Sequence, residues 1–290
     1  MTRAAAPRLS IRPRRTLSDS GGASSSASAS AEKDALRLSL AATVEGLELG
    51  VVSIAASAAS DSFAAVTLDS KVRVCSLPGG EVTGSFDPGA LEAWHACWHP
   101  SGSVVATTTH AGGINLLDAS SGDVSRRLDT KLGFVSDAAF RHDGGVVAAV
   151  SMDGGLAVVD AETGVVLHST EAHKLPVRAV RWSPDGSQLF TASDDGRINV
   201  FDAGRTALSA VSVLAAHTGP VNCAAVRPDG LHLASASADR SVKLWDLRTR
   251  EVLHAFAAHD GRVAAVEYAP GGARLASGCD AGRVCVHSAQ

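Results

Sequence analysis

Histidine, hydroxyl and carboxylate side chains recur at one fixed spacing in the second half of the chain. His217, Ser235 and Asp239 precede Trp245, and the same three side-chain types stand at the same offsets one unit earlier, ahead of Phe201. Such a set is the composition of a hydrolase triad, in which the imidazole removes the serine proton and the carboxylate orients the imidazole. It is equally the composition of a buried hydrogen-bonded cluster. Because the set recurs and no Gly-x-Ser-x-Gly elbow accompanies it, the sequence favours the structural interpretation and predicts no catalytic residue.

The cysteines, turn acids and glycines do not predict a cofactor site either. The five cysteines are odd in number, form no C-x-x-C pair, and none lies near a His at zinc-ligand spacing. Small thiols buried in a reducing compartment explain them best. Asp194 and Asp195 are turn acids, and no strand–Gly-rich loop–helix pattern is present to hold phosphate. We therefore expect no metal and no cofactor.

Charge is distributed unevenly along the 290 residues. Residues 1–30 hold five arginines and one acid, so they carry +4 and leave −8 for the remainder of a chain whose net charge is −4. Phosphate groups are bound by clustered Lys and Arg, so this acidic remainder predicts no direct nucleic-acid binding. No run of eighteen apolar residues occurs, so the sequence predicts no transmembrane helix and no membrane partner.

Residues 1–33 differ in composition from residues 34–290, which we interpret as one domain. The first segment is rich in Arg, Ala and Ser and nearly lacks large apolar side chains, so it cannot bury enough surface to offset chain entropy. We expect a disordered basic tail. The absence of an acid before Asp19 is also typical of an organelle transit peptide, and an N-terminus assigned to the wrong start is a third interpretation. No apolar stretch follows the arginines, so a secretory signal peptide is not expected.

From about residue 36 the chain repeats itself six times. The clearest unit, Leu233–Asp246, ends in Trp-Asp. All six units end at equivalent positions, 42 or 44 residues apart: Ser76, Asp118, Asp160, Asp202, Asp246 and Ser288. A period of 40–45 residues that ends in Trp-Asp is typical of a four-stranded propeller blade. Alternating runs such as Ile198–Phe201 and turns such as Ser183-Pro-Asp-Gly agree with short strands joined by hairpins, so we predict an all-β propeller.

The repeats resemble the WD-repeat (WD40) family of β-propellers. A His stands shortly before the first strand of three units, at His173, His217 and His259. In that family a His, a strand Ser or Thr, a turn Asp and the closing Trp form a buried hydrogen-bonded tetrad. The resemblance assigns these roles here to His217, Ser235, Asp239 and Trp245.

Two units depart from the tetrad pattern. The fourth unit has Phe201 where the Trp is expected. In the sixth unit Ala281 replaces the Asp and His287 replaces the Trp. We therefore expect the sixth tetrad to be broken.

Within that family the chain is similar to one branch, the WD-repeat subunits shared by the superkiller (Ski) complex and the RNA polymerase II-associated factor complex, called vernalization-independence WD protein in plants. Six segments carry this resemblance: Glu45–Ser53, Ala93-Trp94, Thr108–Asn115, Leu128–Phe134, Ala172–Arg178 and Thr191–Gly196. The branch is seven-bladed, with its first blade N-terminal to the Glu45 region, where this chain has its basic segment. Either one blade is absent or the N-terminus is not native. Alternatively, Ala35–Val44 pairs with the last three strands and closes a six-bladed ring.

Propellers contact partners through loops on two faces, and the repeat alignment predicts which residues lie there. One set precedes the innermost strands, and the other lies in the turns before the Trp-Asp strands. The candidates are Leu49, Glu92, Trp94, Phe134, Leu175 and Thr218 in the first set, and His110, Met152, Asp194 and Ala238 in the second. We prefer Trp94, Phe134 and Met152 as anchors because aromatic and Met side chains carry much of the binding energy at interfaces. Burial in the core is the competing interpretation for each, and Trp98 and Trp182 are expected in the core.

The resemblance implies a non-catalytic scaffold for protein–protein interaction. It implies a subunit that bridges larger helical-repeat partners in RNA decay or transcription elongation, in the nucleus and cytoplasm, and not an obligate homo-oligomer. An alternative is a substrate receptor of a cullin-RING ubiquitin ligase, since Trp245-Asp246-Leu247-Arg248 looks like the box by which some WD proteins dock on the ligase adaptor. A propeller hydrolase is a third hypothesis, without a nucleophile or metal constellation to support it. An organellar location follows only if residues 1–30 are a transit peptide.

Overall fold

The computed structural model describes Val44 and residues 49–89, 92–204 and 208–288. These residues form β-strands, turns and loops, and no helix occurs among them; none of them therefore forms a helix able to cross a membrane. The assignment of residues 1–33 to a tail lies outside the described residues, as does the proposed strand Ala35–Val44 except for its last residue.

Twenty-three strands of the described residues form six antiparallel sheets in chain order, and each sheet is one blade. The first three blades are β1 (Val51–Ala56), β2 (Ser62–Thr67), β3 (Val72–Ser76), β4 (Val82–Phe86); β5 (Ala96–Trp98), β6 (Val104–Thr108), β7 (Gly113–Asp118), β8 (Val124–Asp129); and β9 (Val135–Phe140), β10 (Val146–Ser151), β11 (Gly155–Asp160), β12 (Val166–Glu171). The last three are β13 (Val177–Trp182), β14 (Gln188–Ser193), β15 (Arg197–Asp202), β16 (Ser209–Ala215); β17 (Val221–Val226), β18 (His232–Ser237), β19 (Val242–Asp246), β20 (Glu251–Phe256); and β21 (Val263–Tyr268), β22 (Arg274–Cys279), β23 (Val284–Ser288). The fold is a six-bladed β-propeller, as the six repeats predict.

The hairpins follow from the turn residues seen in the sequence. Gly186 has φ = 70° and Gly230 has φ = 71°, the left-handed region that glycine adopts without a Cβ penalty. Asp185 accepts a hydrogen bond from the Ser187 backbone N–H at 3.1 Å, which fixes the β13–β14 turn. Pro-Asp-Gly therefore ends one strand and starts the next in the way the sequence predicts.

The core lies between neighbouring blades and not within any one of them. Five apolar clusters each combine residues from two successive blades, so both faces of each of the second to fifth blades are buried and their strands are apolar on both sides. Trp182 is buried and donates its Nε1–H to Ala139 O of the preceding blade at 3.0 Å. Trp98 is half-buried and donates to Ala55 O in the same way, at 2.8 Å. Both tryptophans thus lie at blade junctions and tie successive sheets together.

The sixth blade differs from the others at the outer rim. It has three strands in the described part of the chain, whereas each of the other five sheets has four. The seventh blade implied by the resemblance is not among the described residues.

Candidate functional site: tetrads and the upper face

The fifth blade holds a continuous hydrogen-bonded chain of four side chains. The carboxylate of Asp239 lies 2.8 Å from His217 Nδ1, and His217 Nε2 lies 2.7 Å from Ser235 Oγ. Trp245 donates its Nε1–H to the same hydroxyl at 2.8 Å. Because a carboxylate only accepts, the imidazole proton is on Nδ1, and Nε2 accepts from Ser235. These contacts link the loop before β17 to β18, the next turn and β19.

Burial and hydrogen bonding lower the pKa values of both His217 and Asp239, which favours this protonation state. Burial lowers the pKa of His217, although the Asp239 carboxylate opposes that shift. Burial alone would raise the pKa of Asp239, but hydrogen bonds from Ser241 and His217 outweigh it and hold the pKa well below its usual range. The set therefore contains a neutral imidazole and an ionised carboxylate.

Geometry argues against nucleophilic catalysis by this set. Ser235 is fully buried, and the side chain of His217 is 1% exposed. A serine that a substrate cannot reach and that already receives a hydrogen bond from Trp245 is placed to satisfy polar groups inside the blade. The arrangement is structural.

The fourth and sixth blades contain the same arrangement with substitutions. In the fourth blade, His173 lies 2.8 Å from Asp195 and 2.9 Å from the Thr191 hydroxyl, but the ring of Phe201 has no N–H to donate. The sixth tetrad, expected to be broken, loses the contact to the turn Asp but keeps both contacts of its serine hydroxyl. Its Ser277 hydroxyl lies 2.8 Å from His259 and 3.1 Å from His287, which stands in the Trp position.

The acid that is missing from the sixth blade leaves a polar atom unsatisfied. Nδ1 of His259 is buried without a hydrogen-bond partner, because Ala281 occupies the place of the turn Asp. Burial lowers the pKa of both His259 and His287. A buried imidazole nitrogen without a hydrogen-bond partner lowers the stability of the folded state.

The strand topology places the two sets of predicted contact residues at the same end of the strands. In an antiparallel meander the chain enters the first strand at the same end at which the second strand turns into the third. The loops before β5, β9 and β13 therefore lie on the same face of the propeller as the turns β6–β7, β10–β11 and β14–β15. We call this face the upper face.

Three of the predicted contact residues form an aromatic cluster on the upper face. His110 and Phe134 are stacked with ring centroids 4.0 Å apart and planes at 20°. Trp94 meets both rings edge-on, with centroids at 5.4 Å from His110 and 5.3 Å from Phe134. All three residues are half-buried. They come from the loops before β5 and β9 and from the β6–β7 turn, so the cluster spans the second and third blades.

The cluster continues into the third and fourth blades. The backbone N–H of Met152 donates to Phe134 O at 2.9 Å. Arg178 lies 3.8 Å from the Met152 sulfur through Nη1 and makes a two-point ion pair with Asp194, at 2.8 and 2.7 Å. Aromatic rings, a thioether and a fixed ion pair thus form one continuous surface.

The remaining contact candidates are placed separately around the upper face. Leu49 is 50% exposed beside the first blade, and Leu175 is 47% exposed before β13. Glu92 accepts from Asn115 Nδ2 at 3.0 Å and lies near Arg127. On the fifth blade, the Thr218 N–H donates to Asp239 at 3.1 Å and the Ala238 N–H donates to Pro220 O at 2.8 Å. These two residues contribute backbone to the tetrad loop and lie apart from the aromatic cluster.

A charge cluster around one buried carboxylate, at the innermost strands, was not predicted from the sequence. Asp137 on β9 is 2% exposed and lies 2.6 Å from Arg181 on β13 and 3.0 Å from His95 Nδ1 before β5. It also accepts the Val180 N–H at 2.9 Å. Burial would raise the pKa of Asp137, but Arg181 and His95 hold it well below its usual range. The sequence signal for this cluster was Asp137, a charged residue within an apolar strand. Its partners lie on the two neighbouring blades, so one repeat alone does not predict the pairing.

No metal site was found in the part of the chain that the structure describes. No group of three or more His, Cys, Asp or Glu side chains in those ranges is arranged to hold an ion. The five cysteines are free thiols, of which Cys75 is buried and the others are half-buried. Burial raises the pKa of Cys97 to about 12.

Comparisons with known proteins agree with this description. The sequence profile of the WD domain, G-beta repeat, matches residues 164–202, 208–246 and 250–288. These three matches correspond to the three units that carry the His of the tetrad. The described residues thus form a six-bladed β-propeller, and three of its repeats match this profile. The chain is also similar to the WD repeat-containing protein SL1-17 of Schistosoma mansoni, with 32% identity over 96 residues, which is 33% of this chain and 32% of that protein.

Proposed function

We propose that the protein is a non-catalytic scaffold that binds other proteins through the upper face. The observation that carries this proposal is the aromatic cluster of Trp94, His110 and Phe134, which stays half-exposed on a rigid frame. Rings held by their neighbours lose little side-chain entropy on binding, and such residues dominate the energy of many interfaces. The WD40 repeats support it, since propellers of this kind generally bind protein partners.

The finer proposal is a subunit of the Ski RNA-decay complex, the polymerase-associated elongation complex, or both, in the nucleus and cytoplasm. It is supported by where the resembling segments fall on the molecule. The segments around Trp94, His110 and Phe134 each contribute one ring to the cluster, and those around Arg178 and Asp194 contribute the adjoining ion pair. The partners implied are large helical-repeat proteins that place apolar side chains against the cluster.

Affinity purification of the full chain from its own cells at moderate salt tests this proposal. The wild type is compared with the Trp94→Ala/Phe134→Ala double variant and with Leu253→Ala, a matched control at an exposed position on β20. We expect a helicase with a helical-repeat scaffold, or polymerase-associated elongation factors, to accompany the wild type and the control but not the double variant. Equal recovery with all three proteins would contradict binding through the cluster.

Ubiquitin-ligase docking is the second candidate, because Arg248 is exposed two residues after Asp246 of the Trp-Asp pair. The Asp246 carboxylate accepts the Arg248 N–H at 2.7 Å, which holds the turn, while Trp245 is committed to the tetrad. Recovery of only a cullin adaptor, lost on Arg248→Ala, would favour this function. Recovery of organellar proteins, together with loss of about the first thirty residues of this chain, would contradict both assignments and favour an imported WD protein.

A further inference from the structure

The second and fourth blades place different chemistry at the same two positions of the repeat on the upper face. Trp94 and His110 in the second blade correspond to Arg178 and Asp194 in the fourth, since the equivalent residues are 84 positions apart, two repeats of 42. Trp94 and His110 make an edge-on ring contact with centroids 5.4 Å apart. Arg178 and Asp194 make an ion pair, in which Nε and Nη2 of the guanidinium lie 2.8 and 2.7 Å from the two carboxylate oxygens. One pair is therefore aromatic and the other is charged.

The third blade lies between these two pairs and connects them. At the equivalent positions it has Ser136 and Met152. Ser136 is buried, and its hydroxyl lies 2.5 Å from Val177 O, the carbonyl directly before Arg178. Met152 is half-buried, donates its N–H to Phe134 O at 2.9 Å and places its sulfur 3.8 Å from Arg178 Nη1. The aromatic cluster and the ion pair are therefore joined through Met152 into one surface.

Within the ion pair, the cation is the member that remains available to a ligand. The side chain of Arg178 is 39% exposed and that of Asp194 is 19% exposed. Asp194 binds side-on at Nε and Nη2, which occupies both of its oxygens but leaves the N–H groups of the Nη1–Nη2 edge. Among the described residues, the acceptor for Nη1 is the Met152 sulfur, and a thioether is a weak acceptor. Arg178 can therefore bind a second carboxylate end-on while it keeps Asp194.

The chemistry around this edge favours the side chain of an Asp or Glu over other anions. A chain-terminal carboxylate is captured by backbone N–H groups, and phosphate groups are bound by clusters of arginines. The N–H of Met152 donates to Phe134 O and the N–H of Asp194 donates to Pro176 O, both at 2.9 Å, so these backbone donors are already used. One fixed guanidinium matches the two oxygens of a single carboxylate.

We propose that the upper face binds a partner segment in which an apolar side chain lies within a few residues of an Asp or Glu. The apolar side chain packs on Trp94 and Phe134, and the carboxylate binds the Nη1–Nη2 edge of Arg178. This proposal rests on the scaffold function and names the chemistry of the partner at that site. Asp194 fixes the guanidinium before binding, so little side-chain entropy is lost when the second carboxylate binds. The partner's apolar side chain also excludes water, which strengthens the new ion pair.

A photo-crosslinking amino acid at position 175 of the full chain identifies the bound segment in the complex purified from its own cells. Leu175 is 47% exposed, and its carbonyl accepts a hydrogen bond at 3.4 Å from Ser193 Oγ, directly before Asp194. A probe there lies beside the ion pair. We expect one crosslinked partner segment that contains an Asp or Glu near an apolar residue. Replacing that acid by its amide should weaken binding to the wild-type chain by about tenfold or more.

The dependence on the partner's acid should require Arg178. Arg178→Gln should bind the acidic partner and its amide variant equally weakly, and Arg178→Glu should prefer a partner with Lys in place of the acid. Lys174→Gln is the matched control, because it removes an 86% exposed cation from the neighbouring loop and should keep the full difference. Trp94→Ala should weaken both partners but preserve their ratio. Unchanged thermal unfolding of the purified variants verifies that each remains folded.

The outcomes separate this proposal from the scaffold function. Equal binding of the acidic and amide partners to the wild type, or an acid dependence that survives in Arg178→Gln, would overturn the carboxylate site and leave the scaffold function in place. A crosslinked segment without an acid would do the same. Crosslinks confined to the same chain or to a second copy would overturn the proposal by showing a different occupant. Absence of any partner whose recovery depends on Trp94 and Phe134 would contradict the proposed function itself.

Discussion

Phe134 stacks on His110 with ring centroids 4.0 Å apart, although the two residues come from different blades of the propeller. The contact joins the loop before β9 to the β6–β7 turn, and Trp94 closes the group edge-on. A cluster built across a blade junction is as rigid as the junction itself. It is therefore a fixed, half-exposed aromatic surface.

Removing a ring from this cluster is expected to weaken partner binding far more than it weakens the fold. Trp94→Ala and Phe134→Ala should each cost about 2 kcal/mol of binding free energy, roughly a thirtyfold loss. Because the rings touch, the double variant should lose less than the sum of the single losses. Titration calorimetry with the purified partner measures this coupling. Strictly additive losses would show that the rings do not act as a unit.

The Trp245 N–H is expected to contribute measurably to stability. Trp245→Phe removes the donor to Ser235 and should lower the free energy of unfolding by about 1 kcal/mol, the value of one buried hydrogen bond. Phe201 at the same place in the fourth blade shows that the ring alone can fill the site. Denaturant unfolding of Trp245→Phe, Ser235→Ala and the double variant gives the coupling energy. A coupling energy of zero would show that the hydrogen bond between Trp245 and Ser235 does not contribute to stability.

Restoring the missing acid of the sixth blade is expected to stabilise it. Ala281→Asp places a carboxylate where the fifth blade has Asp239, within the tetrad pattern of His259. The buried His259 Nδ1 then gains an acceptor, and the free energy of unfolding should rise by about 1 kcal/mol. The His259 pKa should rise as well, as a neighbouring carboxylate requires. NMR titration and thermal unfolding measure both changes, and the gain in stability should vanish in a His259→Gln background.

The buried charge cluster predicts a large penalty for neutralising Asp137. Asp137→Asn leaves the half-buried Arg181 without its carboxylate partner, which should cost about 3 kcal/mol, the lower end of the range for a buried pair. Asp129→Asn breaks an ion pair with Lys131 that is about two-thirds exposed on both sides, and should have no measurable effect. Chemical denaturation distinguishes the two variants. Similar losses for both would contradict a special role of the buried pair.

Acidification is expected to destabilise the propeller in two stages. The folded state holds the pKa of His217, His259 and His287 below the ordinary value of 6.5, so it disfavours their protonation. As the pH falls below that value, the unfolded chain binds protons that the folded chain excludes, and stability drops. A second loss follows below about pH 4, because the lowered pKa values of Asp137 and Asp239 contribute stability only above the ordinary range. Unfolding free energies from pH 8 to pH 3 measure both stages. Stability that rises between pH 7 and pH 5 would contradict the first.

The fold was largely readable from the sequence because a propeller is a local structure repeated. Each blade is one meander of short strands joined by tight turns, so residues such as Ser183-Pro-Asp-Gly determine a hairpin without help from distant parts of the chain. The His, Ser, Asp and Trp of the fifth repeat likewise lie within 29 consecutive positions, from His217 to Trp245. Their hydrogen bonds are therefore an outcome of one repeat.

Contacts between blades were decided by the tertiary structure. The stack of His110 on Phe134 and the pairing of Asp137 with Arg181 each depend on how two sheets pack, and no single repeat encodes that relationship. Sequence periodicity assigns a residue to one face of a strand, but only the presence or absence of a neighbouring sheet determines whether that face is buried.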